Sequence, residues 1–430
     1  MRILVDPSSY DYRNAGDLAM LLVAADRISK VCPAASLRVI TLDPGSLARL
    51  LPQAVPVPAE SRFEWYCRSM VGGHSKRLPI WLRGPLKTLE DRLWAARPDL
   101  CSRAIRLRLP RKSQPQTDPC AFVDEIRSSD LVLVSGMGAL NDPFRAHALA
   151  LLDVMALAHR RGIPVALFGQ GIGPITDREL FRRAREVLPR VRFIGLREGR
   201  TAVPLLASLG VSPSRVEVTG DDALELVYVR RPAALGSAIG VNIRLALYAG
   251  TGQEALVPVR AALERVAPDL GAPLIPLPIS SHEADSGVRS LMELASGMSA
   301  RWIGEFQLDD PPGLQVIPQT GRCRVVVTGS YHAAVFALGQ GIPAVCMEHS
   351  PYYSQKFRGL QAQFGAGVEI VPMAEPDFGL RLERAIRFAW DSAERLRVSL
   401  LDATAAQIDL SRAAYARFFS GLGKGGTGTP

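Results

Sequence analysis

The sequence lacks the features that would identify a structural metal site or a disulfide framework. Its 430 residues contain six cysteines, none of which belongs to a CxxC pair or has a histidine at ligand spacing. Such pairs are the sequence signature of structural zinc, so the sequence predicts free thiols and no metal site. The six are Cys32, Cys67, Cys101, Cys120, Cys323 and Cys346.

A long hydrophobic run is also missing. The most apolar helical stretch, HALALLDVMALAHRRG, contains Asp153 and has helical periodicity. A membrane-spanning helix needs about 20 predominantly apolar residues, which no stretch supplies. The opening RILVD is typical of a first β-strand and not of a signal peptide, so we expect a cytoplasmic protein.

The chain carries a formal net charge of +9. A positive balance is compatible with nucleic acid, with an anionic membrane surface or with acidic substrates. Nucleic acid is the weakest of the three, because no helix-turn-helix, RNA-binding or zinc-finger signature accompanies the charge. We therefore expect no nucleic-acid partner.

Strand-like and helix-like stretches alternate along most of the chain, which predicts βαβ units and mainly parallel sheets. The Pro/Gly-bearing stretch VRRPAALGS separates two such halves. We expect an α/β protein of two Rossmann-like domains facing a cleft, followed by helices that pack back on the first domain and by a disordered Gly-rich tail. The predicted segments are 1–228, 239–378, 379–420 and 421–430.

One segment, from about residue 60 to 119, interrupts this alternation. It is rich in arginine and carries Trp65, Tyr66, Trp81 and Trp94. We predict a basic helical insertion in the first domain. A solvated helical hairpin or lid is the favoured interpretation, and an amphipathic segment lying on an anionic membrane is the alternative.

Four glycine- or arginine-bearing loops follow predicted strands of the first half. Parallel strands bring their carboxyl ends to one edge of a sheet, where ligands bind. The loop NAGDLAML offers Asn14 and Asp17, although a turn and a helix N-cap alone explain both. The loop SGMGALND offers Gly138 and Asp142, and FGQGIGPI offers the pair Gln170–Gly171.

Three cationic or titratable side chains, from both halves, are expected to face the same cleft. Arg197 ends the strand FIGL, and Arg244 ends the strand of GVNIR. An arginine at such a place can bind a carboxylate or phosphate through two parallel hydrogen bonds. His332 lies in the first turn of a helix that follows CRVVVTGS, where free backbone amides favour anions. The set predicts a small, multiply charged anion bound between the halves.

The order and spacing of these motifs resemble the polysaccharide pyruvyl transferase family. The matching stretches cover roughly residues 1–60 and 120–370, and GQGIGP and HAAVFALGQGIP are the most specific. The resemblance implies a fold like that of the two-domain GT-B glycosyltransferases. It also implies transfer of pyruvate from phosphoenolpyruvate to two sugar hydroxyls as a cyclic ketal. By position, Arg197 resembles the family's arginine for the anionic donor, and His332 its active-site histidine.

The chain departs from the family at one triplet. Many members have an arginine two residues before the histidine, whereas here Ser330 and Tyr331 precede His332. We expect Ser330 and Tyr331 to line the donor site, and Arg244 or Lys356 to supply the missing positive charge.

The implied chemistry gives each candidate a role. His332 is predicted to act as general acid or base, and Asp17, Asp142 or Asn14 to orient or deprotonate the acceptor hydroxyls. No metal or organic cofactor is expected, because no step demands one, and phosphoenolpyruvate enters as a co-substrate. The partners would be a saccharide or lipid-linked saccharide and, through the insertion, the inner face of a membrane. Two alternatives remain open: a GT-B glycosyltransferase that uses a nucleotide-sugar, and a catalytically silent carbohydrate-binding relative.

Overall fold

The computed structural model describes residues 1–7, 9–67, 118–136, 138–243, 256–282, 287–306 and 314–424. Between residues 79 and 107 it describes only scattered positions. In these segments helices alternate with strands that form two sheets, and every pairing between strands is parallel. The predicted fold class, an α/β protein with two Rossmann-like domains, is confirmed.

The first domain is built on a seven-stranded sheet. Its strands are β1 (Arg2–Asp6), β2 (Ser36–Thr41), β3 (Val55–Pro58), β4 (Leu131–Val134), β5 (Val165–Gln170), β6 (Phe193–Leu196) and β7 (Val216–Val218). Their spatial order is β3-β2-β1-β4-β5-β6-β7. The strands β4 and β5 read LVLV and VALFGQ and are buried along their whole length. Continuous apolar runs of this kind suit a parallel sheet covered by helices on both faces.

The helices of the first domain begin with strong local signals. They are α1 (Ala15–Val31), α2 (Pro44–Leu50), α3 (Ala59–Cys67), α4 (Pro119–Arg127), α5 (Arg145–Arg160), α6 (Arg178–Val187), α7 (Ala202–Ser208) and α8 (Ala223–Val229). Four of them start after an Asn or Asp whose side chain accepts a hydrogen bond from a backbone amide of the first turn. Such N-caps satisfy amides that have no partner inside the helix.

The second domain is built on a five-stranded sheet. Its strands are β8 (Ala238–Asn242), β9 (Leu274–Pro276), β10 (Cys323–Thr328), β11 (Ala344–Glu348) and β12 (Val368–Pro372), in the spatial order β12-β11-β10-β8-β9. The accompanying helices are α9 (Leu256–Asp269), α10 (Gly287–Ala295), α11 (Val316–Gly321), α12 (Tyr331–Leu338) and α13 (Pro351–Phe364).

The carboxyl edges of the two sheets face each other. Strand order reverses between β1 and β4 in the first sheet and between β8 and β10 in the second, and ligands of such sheets bind at these reversals. The loop after β1 meets the loop after β9. Asn14 and Ser280 form an antiparallel bridge, and Ala15 N donates to Ile279 O at 2.9 Å. The loops predicted to form the site therefore lie around one interdomain cleft.

A long C-terminal helix, α14 (Phe378–Lys424), contacts both domains. It packs against β10, β12 and α9 of the second domain and against α1, α8 and β6 of the first. Within the first domain, the ring of Tyr415 stacks on that of Phe168 at a centroid distance of 3.9 Å. The helix extends through residues 421–424, where the sequence predicts the start of the tail, because Leu422 packs against the core of the first domain.

A buried polar network joins α14 to α1 and α8. Arg27 Nη1 donates to Asp222 Oδ1 at 2.6 Å, and Arg27 Nε donates to Glu225 Oε2 at 2.7 Å. Asp222 also accepts hydrogen bonds from Ser411 Oγ at 2.7 Å and Tyr415 Oη at 2.9 Å. Because a buried charge is costly without partners, this network fixes where the C-terminal helix docks.

The predicted insertion is described only at its ends. Helices α3 and α4 flank it and pack against each other. Most of residues 68–117, and with them the predicted basic face, lie outside the described residues. Among the helices that are described, none is both long and apolar enough to span a membrane.

Candidate active site

His332 occupies the place predicted for it, in the first turn of α12. The turn before the helix is fixed by polar bonds: Thr328 Oγ1 donates to Asn242 Oδ1 at 2.9 Å and accepts from Ser330 N at 2.8 Å. Ser330 is buried at the N-cap, but its side chain makes no capping hydrogen bond to the helix. All residues of α12 are buried, so the helix holds the imidazole rigidly at the carboxyl edge of β10.

The imidazole of His332 crosses the cleft and lies on the first turn of α1. It is 8% exposed, and a Cβ atom added to Gly16 would lie 2.0 Å from its Cγ atom. Only glycine leaves room for the ring there. Asn14 accepts hydrogen bonds from Gly16 N at 3.0 Å and Asp17 N at 3.2 Å, and so caps the turn that receives the histidine.

Arg197 lies beside this turn, directly after β6. Its guanidinium is 2% exposed, lies 4.2 Å from the centroid of the Tyr331 ring, and places Nη1 3.5 Å from Asp221 Oδ2. Burial alone would lower the pKa of Arg197, but Tyr331 and Asp221 outweigh it and raise the pKa above its usual value. The arginine therefore stays charged inside the cleft.

Two predicted glycines make room for this guanidinium. A Cβ added to Gly138 would lie 2.2 Å from Arg197 Nη2, and one added to Gly171 would lie 2.6 Å from Arg197 Nε. The close approach that glycine permits at these two positions is therefore that of an arginine side chain. Contact of either glycine with a ligand stays a prediction.

Lys356 reaches the same point from α13 of the second domain. A Cβ added to Gly138 would lie 3.3 Å from its Nζ atom. The ammonium bonds to the hydroxyl of Tyr352 and lies 3.9 Å from the centroid of that ring and 5.7 Å from that of Tyr331. Tyr352 Oη in turn donates to Gly138 O at 3.0 Å. Two cations, one from each domain, therefore converge above Gly138.

Two other predicted residues, Asp142 and Gln170, hold loops of the first domain, and a third, Arg244, is not described. Asp142 accepts hydrogen bonds from Thr176 N at 2.7 Å, Thr176 Oγ1 at 2.6 Å and Asp177 N at 3.1 Å, so its carboxylate holds the loop before α6. Gln170 is buried and donates through Nε2 to Phe168 O at 2.9 Å, which supports its own loop. Arg244 lies outside the described residues. Catalytic or binding roles for these three stay predictions.

Asp17 lies closer to the cations. It is half-buried in the first turn of α1, and its charge, like that of Asp221, helps to raise the pKa of Arg197. A role in orienting an acceptor hydroxyl is consistent with this place and stays a prediction.

Two residues without a predicted role, Asp221 and Tyr352, also lie in the site. Asp221, at the end of VTGDD, is buried between Arg197 and His332, and its pKa is raised by burial although Arg197 opposes the shift. The sequence signal that could have identified Asp221 is a carboxylate at a strand end that faces the predicted cleft. Tyr352 lies four residues before Lys356 on α13, a spacing that puts two side chains on one helix face.

The fold is that of GT-B glycosyltransferases and related epimerases. A UDP-GlcNAc 2-epimerase from Neisseria meningitidis is similar with a TM-score of 0.55 at 10% identity, covering 98% of this chain and 100% of that one. A putative UDP-N-acetylglucosamine 2-epimerase from Listeria monocytogenes gives 0.58 at 11%, covering 98% and 97%. A glycosyltransferase from Rickettsia africae gives 0.52 at 10%, covering 99% of each chain. At these identities the likeness shows the fold alone.

The sequence itself defines the family more narrowly. The family model for polysaccharide pyruvyl transferase matches residues 14–351, and the chain belongs to this family. The match includes the loop of Asn14, the strand end of Arg197 and the helix of His332. A search of curated proteins finds no match.

Proposed function

We propose that this protein transfers the pyruvyl group of phosphoenolpyruvate to two hydroxyls of a saccharide, forming a cyclic ketal and releasing phosphate. One observation carries the proposal within the family: Arg197 and Lys356 converge above Gly138, next to the buried imidazole of His332. A small donor with two anionic groups matches two cations held at one point. The acceptor belongs to the saccharide class, free or lipid-linked.

Lys356 supplies the charge that the family's arginine supplies elsewhere. Ser330 occupies the arginine position and offers no positive charge, whereas Lys356 is held in the cleft by Tyr352 and lies near the Tyr331 ring. An ammonium contacts a phosphate as a point charge, and a guanidinium can contact a carboxylate through two parallel hydrogen bonds. We therefore assign the donor's phosphate to Lys356 and its carboxylate to Arg197.

The reaction balances without a further reactant. One acceptor hydroxyl adds to C2 of the donor while C3 takes up a proton, and the second hydroxyl then displaces phosphate from C2. Of the two hydroxyl protons, one ends on C3 and the other leaves with phosphate or solvent. His332 moves the proton to C3 or from the attacking hydroxyl, and the fixed cations stabilise the charge that develops as phosphate leaves.

Turnover with a panel of acceptors tests the proposal. The protein is incubated with phosphoenolpyruvate and free or lipid-linked saccharides, while phosphate release and the product mass are followed. We expect phosphate release that depends on an acceptor, a product carrying one pyruvyl ketal, and a loss of about 100-fold or more in His332→Ala. His159→Ala, at the distant end of α5, is the matched control. Turnover of a nucleotide-sugar in place of phosphoenolpyruvate would refute the proposal and favour a glycosyltransferase.

A further inference from the structure

A single carboxylate oxygen of Asp221 faces a guanidinium of the first domain and an imidazole of the second. Asp221 Oδ1 accepts a hydrogen bond from Ala223 N at 2.9 Å, which fixes the orientation of the carboxylate. The other oxygen, Oδ2, lies 3.5 Å from Arg197 Nη1 and 3.8 Å from His332 Nε2. Both distances end at Oδ2, so Arg197 Nη1 and His332 Nε2 cannot lie further apart than the sum of the two distances. These two nitrogens flank the proposed donor site.

We propose that Asp221 is a positioning residue that sets the distance between Arg197 and His332 and stabilises the imidazolium form of His332. The inference rests on the proposed function, because it concerns the same donor site. Neither family membership nor the sequence motifs assign Asp221 this part.

The burial of Asp221 supports a purpose beyond packing. Its Oδ2 atom is buried and accepts no hydrogen bond of normal length among the described residues, and the ion-pair distances to Arg197 and His332 exceed that length. A buried acceptor without a hydrogen bond destabilises the fold. Hydrogen bonds in active sites are often long in the free enzyme and shorten when substrate binds. We expect both contacts to Oδ2 to shorten around the donor.

The carboxylate of Asp221 lies 3.8 Å from the imidazole nitrogen of His332, and other ionisable groups surround the pair. Asp222, the next residue, points to Arg27, Ser411 and Tyr415 in the buried network. Tyr331 keeps its proton, since burial and then Asp221 raise its pKa well above the usual value. Asp17 acts on Arg197. Removing the charge of Asp221 therefore removes a counter-charge that lies 3.8 Å from the imidazole of His332.

The Asp221→Asn variant tests the inference because it is isosteric. We expect kcat for phosphoenolpyruvate to fall by about 100-fold, the effect of misplacing a catalytic group by about 1 Å, while donor KM changes less than about fivefold. The pH profile should also move, because a carboxylate at 3.8 Å favours imidazolium, so that the apparent pKa of His332 falls in Asp221→Asn.

A titration of His332 by NMR separates this inference from the proposed function, since it needs no substrate. An unchanged His332 titration in Asp221→Asn would overturn the inference whether or not phosphoenolpyruvate is the donor. If the wild type turns over phosphoenolpyruvate and Asp221→Asn does so at the same rate, the inference is overturned as well. Asp221→Glu keeps the charge but moves the oxygens, so we expect it to lower kcat while leaving the pKa of His332 close to wild type. A wild-type kcat in Asp221→Glu would contradict the positioning role.

Discussion

Replacing Gly16 by alanine places a single carbon atom against the proposed catalytic imidazole. The added Cβ would lie 2.0 Å from Cγ, 2.1 Å from Nδ1 and 2.5 Å from Cδ2 of His332. Carbon atoms in contact lie about 3.5–4.0 Å apart, so the ring or α1 must move by about 1.5 Å. A displacement of about 1 Å costs roughly 100-fold in rate, which corresponds to about 3 kcal/mol in activation free energy.

The cost to stability should be smaller than the cost to catalysis. Overpacking costs about 1–3 kcal/mol, and replacing a helical glycine by alanine returns about 0.5–1 kcal/mol. The assay measures kcat from acceptor-dependent phosphate release and, separately, the free energy of unfolding in urea. Gly45→Ala is the matched control: Gly45 is likewise the second residue of a helix, and its added Cβ would meet Asp43 Oδ1 at an ordinary 3.5 Å. A folded Gly16→Ala protein with wild-type kcat would refute the reasoning.

Three further predictions concern charge. Asp222→Ala should lower the free energy of unfolding by about 3–5 kcal/mol, because it removes one of the two carboxylates that pair with the buried Arg27 and the acceptor of Ser411 and Tyr415. The exposed Asp409→Ala should cost less than about 1 kcal/mol in the same urea titration. Burial, together with Arg62, lowers the pKa of His147 to about 4. The unfolded state therefore binds more protons between the ordinary histidine pKa and pH 4, and stability should fall by about 3 kcal/mol as pH drops through this window. In His147→Gln the free energy of unfolding should depend less steeply on pH. A dependence as steep as that of the wild type would contradict the role of His147. Lys356→Gln should raise the donor KM by roughly 10- to 100-fold with a smaller change in kcat, and an unchanged KM would contradict its contact with the phosphate.

The fold was largely predictable because local signals and global architecture agree. Runs such as LVLV and VALFGQ read as buried parallel strands, and the structure places both in the middle of the first sheet. The extent of α14 was less predictable. Gly421 follows the periodic pattern and reads as a helix end, but Leu422 packs against the first domain and carries the helix on to Lys424.

The site was predictable only in part, because its contacts join distant segments. The positions of Arg197 and His332 followed from where their strands end. The need for glycine at position 16 did not, since it arises from a ring 316 residues away in the sequence. Asp142 shows the opposite case: a carboxylate in a predicted site loop turned out to hold the backbone of the neighbouring loop.

Calorimetric titration with phosphoenolpyruvate tests the central claim most directly. The wild type is compared with Arg197→Ala and with Arg200→Ala, which removes an exposed arginine three residues further along the same loop. We expect phosphoenolpyruvate to bind the wild type and Arg200→Ala alike and Arg197→Ala to show no binding. Binding of a nucleotide-sugar with no response to phosphoenolpyruvate, or equal binding of phosphoenolpyruvate by Arg197→Ala, would contradict it.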